Sequence, residues 1–502
     1  MKLIFCLFSL FHIVLATFDV ASYTSSQILT ITGTTTGNNF QFPISNAGDV
    51  NHDGKDDIII GGYGTDDSGQ KESAYIVYGQ SSFNAVNLDF VNFAVSSTSA
   101  GIAITGTHGS DGFGSAVSGA GDINNDGIDD FMIGAFRKNA HQGRVYVVYG
   151  KSDLQNMNVL TPGLDPTKDG FFIQGNVDEN YLGYSISKAG DINGDGIDDI
   201  VIGIHGKNTN RGAAAVIYGG TTSTLSNVNV TDATATVSPS TAGFSMLGKA
   251  AYGIFGCSVS NAGDVNNDGR DDILVGAPGN SSHRGAAYVI YGSQSPVNID
   301  LSSKDLDPTT TGFSILAKTT GDFFGVSVSA AGDVNGDGID DIIIGANSTD
   351  SGTGAAYVIY GSKNPVDIDL SDYTLAAAST GFVVKGTAAN DQLGFSVKTV
   401  GDLNSDGFSD VVIGAPNQGG TGAVHVIYGG KSLLDVFDLS ETSLDPLTTG
   451  FSFVRSSVTS GNFGWTISSG DFDEDGKSEL FVGTFAKSNP ANVGYVIGLS
   501  SK

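Results

Sequence analysis

One nine-residue acidic motif occurs seven times in this chain, opening at Asp49, Asp122, Asp191, Asp264, Asp333, Asp402 and Asp471, with spacings of 73, 69, 73, 69, 69 and 69 residues. A fixed period of that length describes one unit repeated, and it overrides the count of about three domains that chain length alone suggests. Each unit carries four short apolar segments; in the fifth they are residues 312–316, 324–329, 341–345 and 356–361. Segments this short, β-branched or alternating and bounded by Gly, read as strands, and no stretch sustains a helical period. Four strands in each of seven units, with only 11 prolines, predict an all-β, seven-bladed β-propeller of four-stranded antiparallel blades, an architecture that leaves few free strand edges.

The order of segments says how the ring closes. The chain opens on a strand of the outer type at residues 28–33 and ends on a strand of the third type at residues 494–497. The first strand therefore completes the last blade, clasping the two ends together and removing an exposed seam. Ahead of it, Lys2 and an apolar run over residues 3–15 followed by Ala16 predict a signal peptide, residues 1–16. The run is shorter than the roughly 20 residues of a membrane span, and no later stretch suits a transmembrane segment. Residues 17–502 are then a single propeller outside the cytosol. Cys6 leaves with the signal, so Cys257 stays alone and no internal disulfide is expected. The Ser/Thr-rich residues 221–241 read as a long loop within a blade.

The acidic loops span residues 49–57, 122–130, 191–199, 264–272, 333–341, 402–410 and 471–479. Oxygen-bearing side chains recur at loop positions 1, 3, 5 and 9: Asp49, Asn51, Asp53 and Asp57; Asp122, Asn124, Asp126 and Asp130; Asp191, Asn193, Asp195 and Asp199; Asp264, Asn266, Asp268 and Asp272; Asp333, Asn335, Asp337 and Asp341; Asp402, Asn404, Asp406 and Asp410; Asp471, Asp473, Asp475 and Glu479. Alternate residues of a tight turn point such oxygens inward, the position-7 carbonyl adds another, and Gly at position 6 permits the reversal. Calcium takes six to eight hard oxygen ligands, whereas magnesium keeps several waters, so the cofactor expected is calcium, up to seven ions. An Asp/Asn-Gly turn held by side-chain caps is the alternative for one copy; seven copies favour metal. The sixth loop has Ser409 at position 8, which leaves the ligands intact, and Glu479 closes the seventh with a longer carboxylate.

Phe-Gly ahead of the loops (Phe113-Gly114, Phe255-Gly256, Phe324-Gly325, Phe463-Gly464) and Gly-Ala-Pro after them (276–278, 414–416) resemble FG-GAP repeats, which build the amino-terminal propeller of integrin α chains. The resemblance implies a seven-bladed propeller with calcium in the loops between first and second strands. Residues 366–371 and 306–308 are similar to free-standing FG-GAP proteins. Nothing follows the seventh unit where integrin α chains continue into leg domains and a membrane span, which puts an integrin β-type partner in doubt. FG-GAP units also accompany a phospholipase that cleaves glycolipid anchors, where the resemblance places catalysis in a separate domain.

Formal net charge is −29, and the seven loops hold 28 of the 53 acids. Seven calcium ions would leave about −16 once the signal is removed. That sign argues against nucleic acid, which needs a basic footprint. The six mature histidines show no metal spacing and no Gly-x-Ser-x-Gly elbow occurs. The reading is a secreted, calcium-binding, adhesion-type module for an extracellular protein or an acidic glycan, and not an enzyme; a cell-coat or matrix component, and a propeller-type polysaccharide lyase or hydrolase, are the alternatives. Three consecutive loops on the face away from the acids are basic: Arg137, Lys138 and Arg144, then Lys207 and Arg211, then Arg284. They suggest an arc that holds carboxylate or sulfate through Arg forks. Sequons at Asn229, Asn280 and Asn347 are candidate glycosylation sites, and aromatics at Tyr184, Phe395 and Trp465 are read as packing between blades.

Overall fold

The structure, a computed structural model, describes residues 17–19, 28–34, 40–41, 43–64, 71–82, 84–89, 94–95, 100–108, 111–206, 210–230, 242–279, 284–372, 374–455, 462–484 and 494–499. The predicted signal peptide, residues 1–16, lies outside them, as do Lys207 and Asn280. No helix among the described residues is long and apolar enough to cross a membrane.

The described strands form seven sheets. In the fifth blade Ser327–Gly332 pairs antiparallel with Asp341–Ala346, that with Ala355–Ile359, and that with Gly381–Lys385. The first strands line the middle, each packed on the next around the molecule and the seventh on the first. Second strands are buried on both faces; Asp341–Ala346 has no exposed residue. That explains their continuous apolar sequence, because a blade is covered by a neighbour on each side. The core is accordingly not one cluster. Seven apolar clusters each bridge two adjacent sheets; the one between blades 2 and 3 joins Val145, Val147 and Phe171 to Ile200, Ile202 and Ala213.

The Phe-Gly and Gly-Ala-Pro glycines meet where the wedge between blades is narrowest. A Cβ on Gly276 would lie 2.0 Å from the Gly325 carbonyl oxygen of the next blade, and Gly325 itself has φ +86°. Neither position tolerates a side chain.

Closure follows the sequence expectation. Ile28–Thr34 pairs antiparallel with Gly494–Leu499 and is the outer strand of blade 7. The four-strand expectation, in contrast, is incomplete. A fifth short strand from each connection between third and outer strands crosses back to lie parallel on the outer strand of the preceding blade, as Val436–Asp438 does on Gly381–Lys385. At blade 6 this place is taken by Thr17–Asp19, parallel to Gly450–Val454, with Phe18 edge-on to Phe451 at 5.7 Å. The amino terminus thus laces blade 6 before it completes blade 7.

Candidate metal centres in the acidic loops

Each acidic loop links a first strand to a second, so all seven emerge on one side of the ring. Position 1 organises the turn. In loop 1 the Asp49 carboxylate accepts the Asp53 N–H at 2.9 Å and the Gly54 N–H at 2.8 Å, and the same pair recurs in loop 5 from Asp337 and Gly338 to Asp333. Position 4 turns into the left-handed region, His52 at φ 60°, Asn125 at 57° and Asn267 at 58°. The position-5 carboxylate accepts the N–H of position 7, as Asp337 does from Ile339 at 3.0 Å.

Position 9 is fully buried in every loop. Asp341 accepts the Val334 N–H at 2.9 Å and the Gly361 N–H at 2.9 Å, which ties the loop to the end of the third strand. Desolvation lifts Asp199 and Asp341 to about 8, Asp410 to about 7 and Glu479 to about 8, and holds Asp57, Asp130 and Asp272 well above the ordinary range, against the lowering effect of those backbone N–H groups. Nearby loop carboxylates push the same way. A cation beside them would reverse the sign of the field and keep them ionised.

The donor set fits such a cation. Asn51 Oδ1, Asn124 Oδ1, Asn266 Oδ1, Asp130 Oδ2 and Glu479 Oε1 are buried acceptor atoms without a hydrogen-bond partner, a costly arrangement unless something positive satisfies them. In loop 7, oxygens of Asp471, Asp473 and Glu479 come within 4.8 Å of one another. A set of hard oxygens is the kind calcium takes, and positions 1, 3, 5 and 9 would supply the side-chain ligands.

The basic residues sort differently. Lys138 pairs with Asp111 at 2.6 Å, Arg284 pairs with Asp369, and Arg144 bonds Gln174 with its guanidinium 4.2 Å from the Phe172 ring centroid. Arg137 lies over Phe136, and the Arg211 Nε is buried without a partner. Two members of the predicted anion arc, Lys138 and Arg284, thus already serve acids of the chain itself. Beside it, Tyr181 stacks between His141 and His205, ring centroids 5.1 and 5.0 Å away, and burial holds His205 down to about 4, uncharged at neutral pH. Phe395 and Trp465, on adjacent blades, approach to 4.3 Å. Burial pushes the Cys257 thiol up to about 11, away from reactivity. Asn229 is exposed on a fifth strand. Asn347 is only 8% exposed, with Ser348 Oγ on its side-chain oxygen, so the folded chain has no room for a glycan there.

Sequence reasoning noted the serine at position 8 of the sixth loop but gave the position no role. Its carboxylates bond the neighbouring loop, Asp129 accepting the Asp49 N–H at 3.0 Å and Asp56 the Asp471 N–H at 2.9 Å. The available signal was the recurrence of Asp there in five of seven loops.

A closed ring of seven sheets with an acidic loop in each defines a β-propeller. The FG-GAP repeat family matches residues 113–148, 182–217, 255–290, 324–359 and 399–427, so the chain carries five FG-GAP repeats in an integrin-α-like propeller. It is 32% identical to integrin alpha pat-2 of Caenorhabditis elegans over 46% of this chain and 18% of that protein. It is also 33% identical to the phosphatidylinositol-glycan-specific phospholipase D of Homo sapiens over 37% of this chain and 22% of that protein. The chain thus spans about a fifth of the length of these curated relatives. Among solved structures it resembles Sqt1 of Chaetomium thermophilum, with TM-score 0.46, 11% identity and coverage of 94% of this chain and 98% of that one. The expectation that the chain is not an enzyme does not stand: its relatives include an enzyme, the phospholipase D of Dictyostelium discoideum among them, 30% identical over 40% of this chain.

Proposed function

We propose that this chain is an extracellular ligand-binding propeller whose seven acidic loops each hold a calcium ion. The observation that carries the reading is the set of buried, partnerless oxygens in the loops, at Asn51, Asn124, Asn266 and Glu479. The integrin alpha matches support the extracellular and ligand-binding part at the level of the family. Bound ions would neutralise the crowded carboxylates and fix the loop face, leaving the opposite loops as the variable surface for an extracellular protein or glycan.

A ligand that binds only the folded state raises its stability by mass action. Calcium should therefore raise the melting temperature and chelator lower it, and native mass spectrometry should count up to seven ions, with Asp337→Ala, Asp268→Ala and Asp195→Ala each losing one. Absence of bound calcium at millimolar concentration would end the proposal. The phospholipase D matches favour a second reading, in which the propeller presents a phosphatidylinositol-glycan; binding to glycosylphosphatidylinositol-bearing vesicles, compared with plain phosphatidylcholine vesicles, separates the two.

A further inference from the structure

The joints between neighbouring loops are of two kinds. In five of them a position-8 carboxylate reaches the backbone N–H of position 1 in the preceding loop: Asp129 to Asp49 at 3.0 Å, Asp198 to Asp122 at 3.1 Å, Asp271 to Asp191 at 2.9 Å, Asp340 to Asp264 at 2.9 Å, and, across the seam, Asp56 to Asp471 at 2.9 Å. The carboxylate occupies the space of an absent side chain: a Cβ on Gly48, just ahead of Asp49, would lie 2.4 Å from Asp129 Oδ2. In the other two joints position 8 is Ser409 or Ser478. Among the described residues no carboxylate then reaches the N–H of Asp333 or Asp402. At the Ser409 joint the backbone contact persists, since Ser409 N–H donates to the Asp333 carbonyl and Gly430 N–H to the Val334 carbonyl, so there only the side chain differs.

A second, independent difference follows the same division in loops 1, 2, 4, 5 and 6. In loops 1, 2 and 4 the position-3 Oδ1 of Asn51, Asn124 and Asn266 is buried without a partner. In loops 5 and 6 the corresponding oxygens of Asn335 and Asn404 accept the Asp337 and Asp406 N–H groups at 2.8 and 2.9 Å. Where the carboxylate strut is missing, the loop has turned a ligand oxygen onto its own backbone.

We infer that Asp56, Asp129, Asp198, Asp271 and Asp340 are positioning residues for the metal site of the neighbouring loop, so that calcium fills the ring unevenly, loops 1, 2, 3, 4 and 7 as a tight set and loops 5 and 6 as a weaker pair. The inference rests on the calcium reading above. The strut fixes the backbone of the residue that supplies the first ligand and brings one more negative charge beside the site. Loops 5 and 6 lack both, and calcium must displace the Asn–backbone bond before position 3 can ligate. Removing a group that orients a metal ligand typically weakens metal binding about 10- to 100-fold.

The test is a chelator titration of the full chain followed by native mass spectrometry, with calorimetry for affinities. The parent should release two ions first and five later. Asp129→Ala should weaken one site at least about tenfold, and that site should be loop 1, not loop 2 where residue 129 lies. Combined with Asp53→Ala in loop 1 it should add no further loss, whereas combined with Asp126→Ala in loop 2 the losses should add. Ser409→Asp with Ser478→Asp should merge the early pair into the later set, which keeps the test open should Asp129→Ala fold poorly. Ions that leave as one class from the parent, or an Asp129→Ala loss that maps to loop 2, overturn the inference while leaving calcium binding intact. A chain that binds no calcium at all overturns the calcium reading itself.

Discussion

Glu72 lies in the seam between blades 1 and 2, 3% exposed, with Oε2 accepting the Phe113 N–H at 2.7 Å and Oε1 buried without a partner. Five other blades have a glycine at this point, Gly143, Gly212, Gly285, Gly354 and Gly422, each bridging by backbone to the next blade; blade 1 substitutes a carboxylate and shifts register between Lys71 and Ser73. Desolvation first, and the charge of Asp111 after it, raise Glu72 to about 7. A carboxyl raised on folding binds its proton more tightly in the native state, so native stability falls as pH climbs from the unfolded value near 4.5 through 7. Glu72→Gln keeps an acceptor for Phe113 and removes the charge. At saturating calcium the variant should match the parent at pH 4.5 and exceed it by roughly 3 kcal/mol at pH 8. Melting curves that stay parallel across that range would show that Glu72 is not the titrating group.

The fifth strands protect the outer edges of the blades, and single side chains secure them. Asp367 Oδ1 accepts both the backbone N–H and the hydroxyl of Ser314 at 2.8 Å, and Asn298 Oδ1 does the same for Ser245 at 2.8 and 3.1 Å. These are outer-strand groups that an unlaced edge would offer to any passing strand. Asp367→Ala should lower the urea midpoint by an amount equivalent to about 1 kcal/mol; an unchanged midpoint would mean that water replaces the bond without cost. None of this lacing is visible in the local sequence, because Ile368–Asp369 is two residues long and its partner strand, Gly312–Leu316, is the outer strand of the preceding blade. Position 8 escaped for the same reason, since Asp129 contacts a residue 80 positions away. So did the fate of Arg284, whose carboxylate partner Asp369 is 85 positions distant. What the sequence does expose is whatever repeats: the acidic loops, the doubly buried second strands and the glycines of the narrow wedge recur in register, and each recurrence reports a local backbone requirement. Contacts between units leave a pattern only when the same residue serves in most of them, and the serines at 409 and 478 show how easily that pattern is read as noise.

For the whole molecule the decisive joint is the one the chain makes with itself. Ile28–Thr34 is held antiparallel to Gly494–Leu499 over six residue pairs and parallel to Val86–Asp89 on its other side. Leu29 and Ile31 from this strand are 0% and 1% exposed, packed in the cluster that joins blade 7 to blade 1. Blade 6 depends on the same terminus through Thr17–Asp19 and Phe18. Deleting residues 17–34 removes two fully buried aliphatic side chains, for which cavity-forming substitutions each cost about 2–5 kcal/mol, and it leaves the strand edges at Gly494–Leu499 and Gly450–Val454 unpaired. The truncated chain should melt well below the parent and self-associate with rising concentration, because an open strand edge recruits another strand. A synthetic peptide of residues 17–34 should restore the monomer and part of the lost melting temperature, since adding a strand in trans rebuilds the same ladder. A truncated chain that stays monomeric and melts with the parent would mean that the ring is held shut by the contacts of the first strands alone, and that the clasp is dispensable.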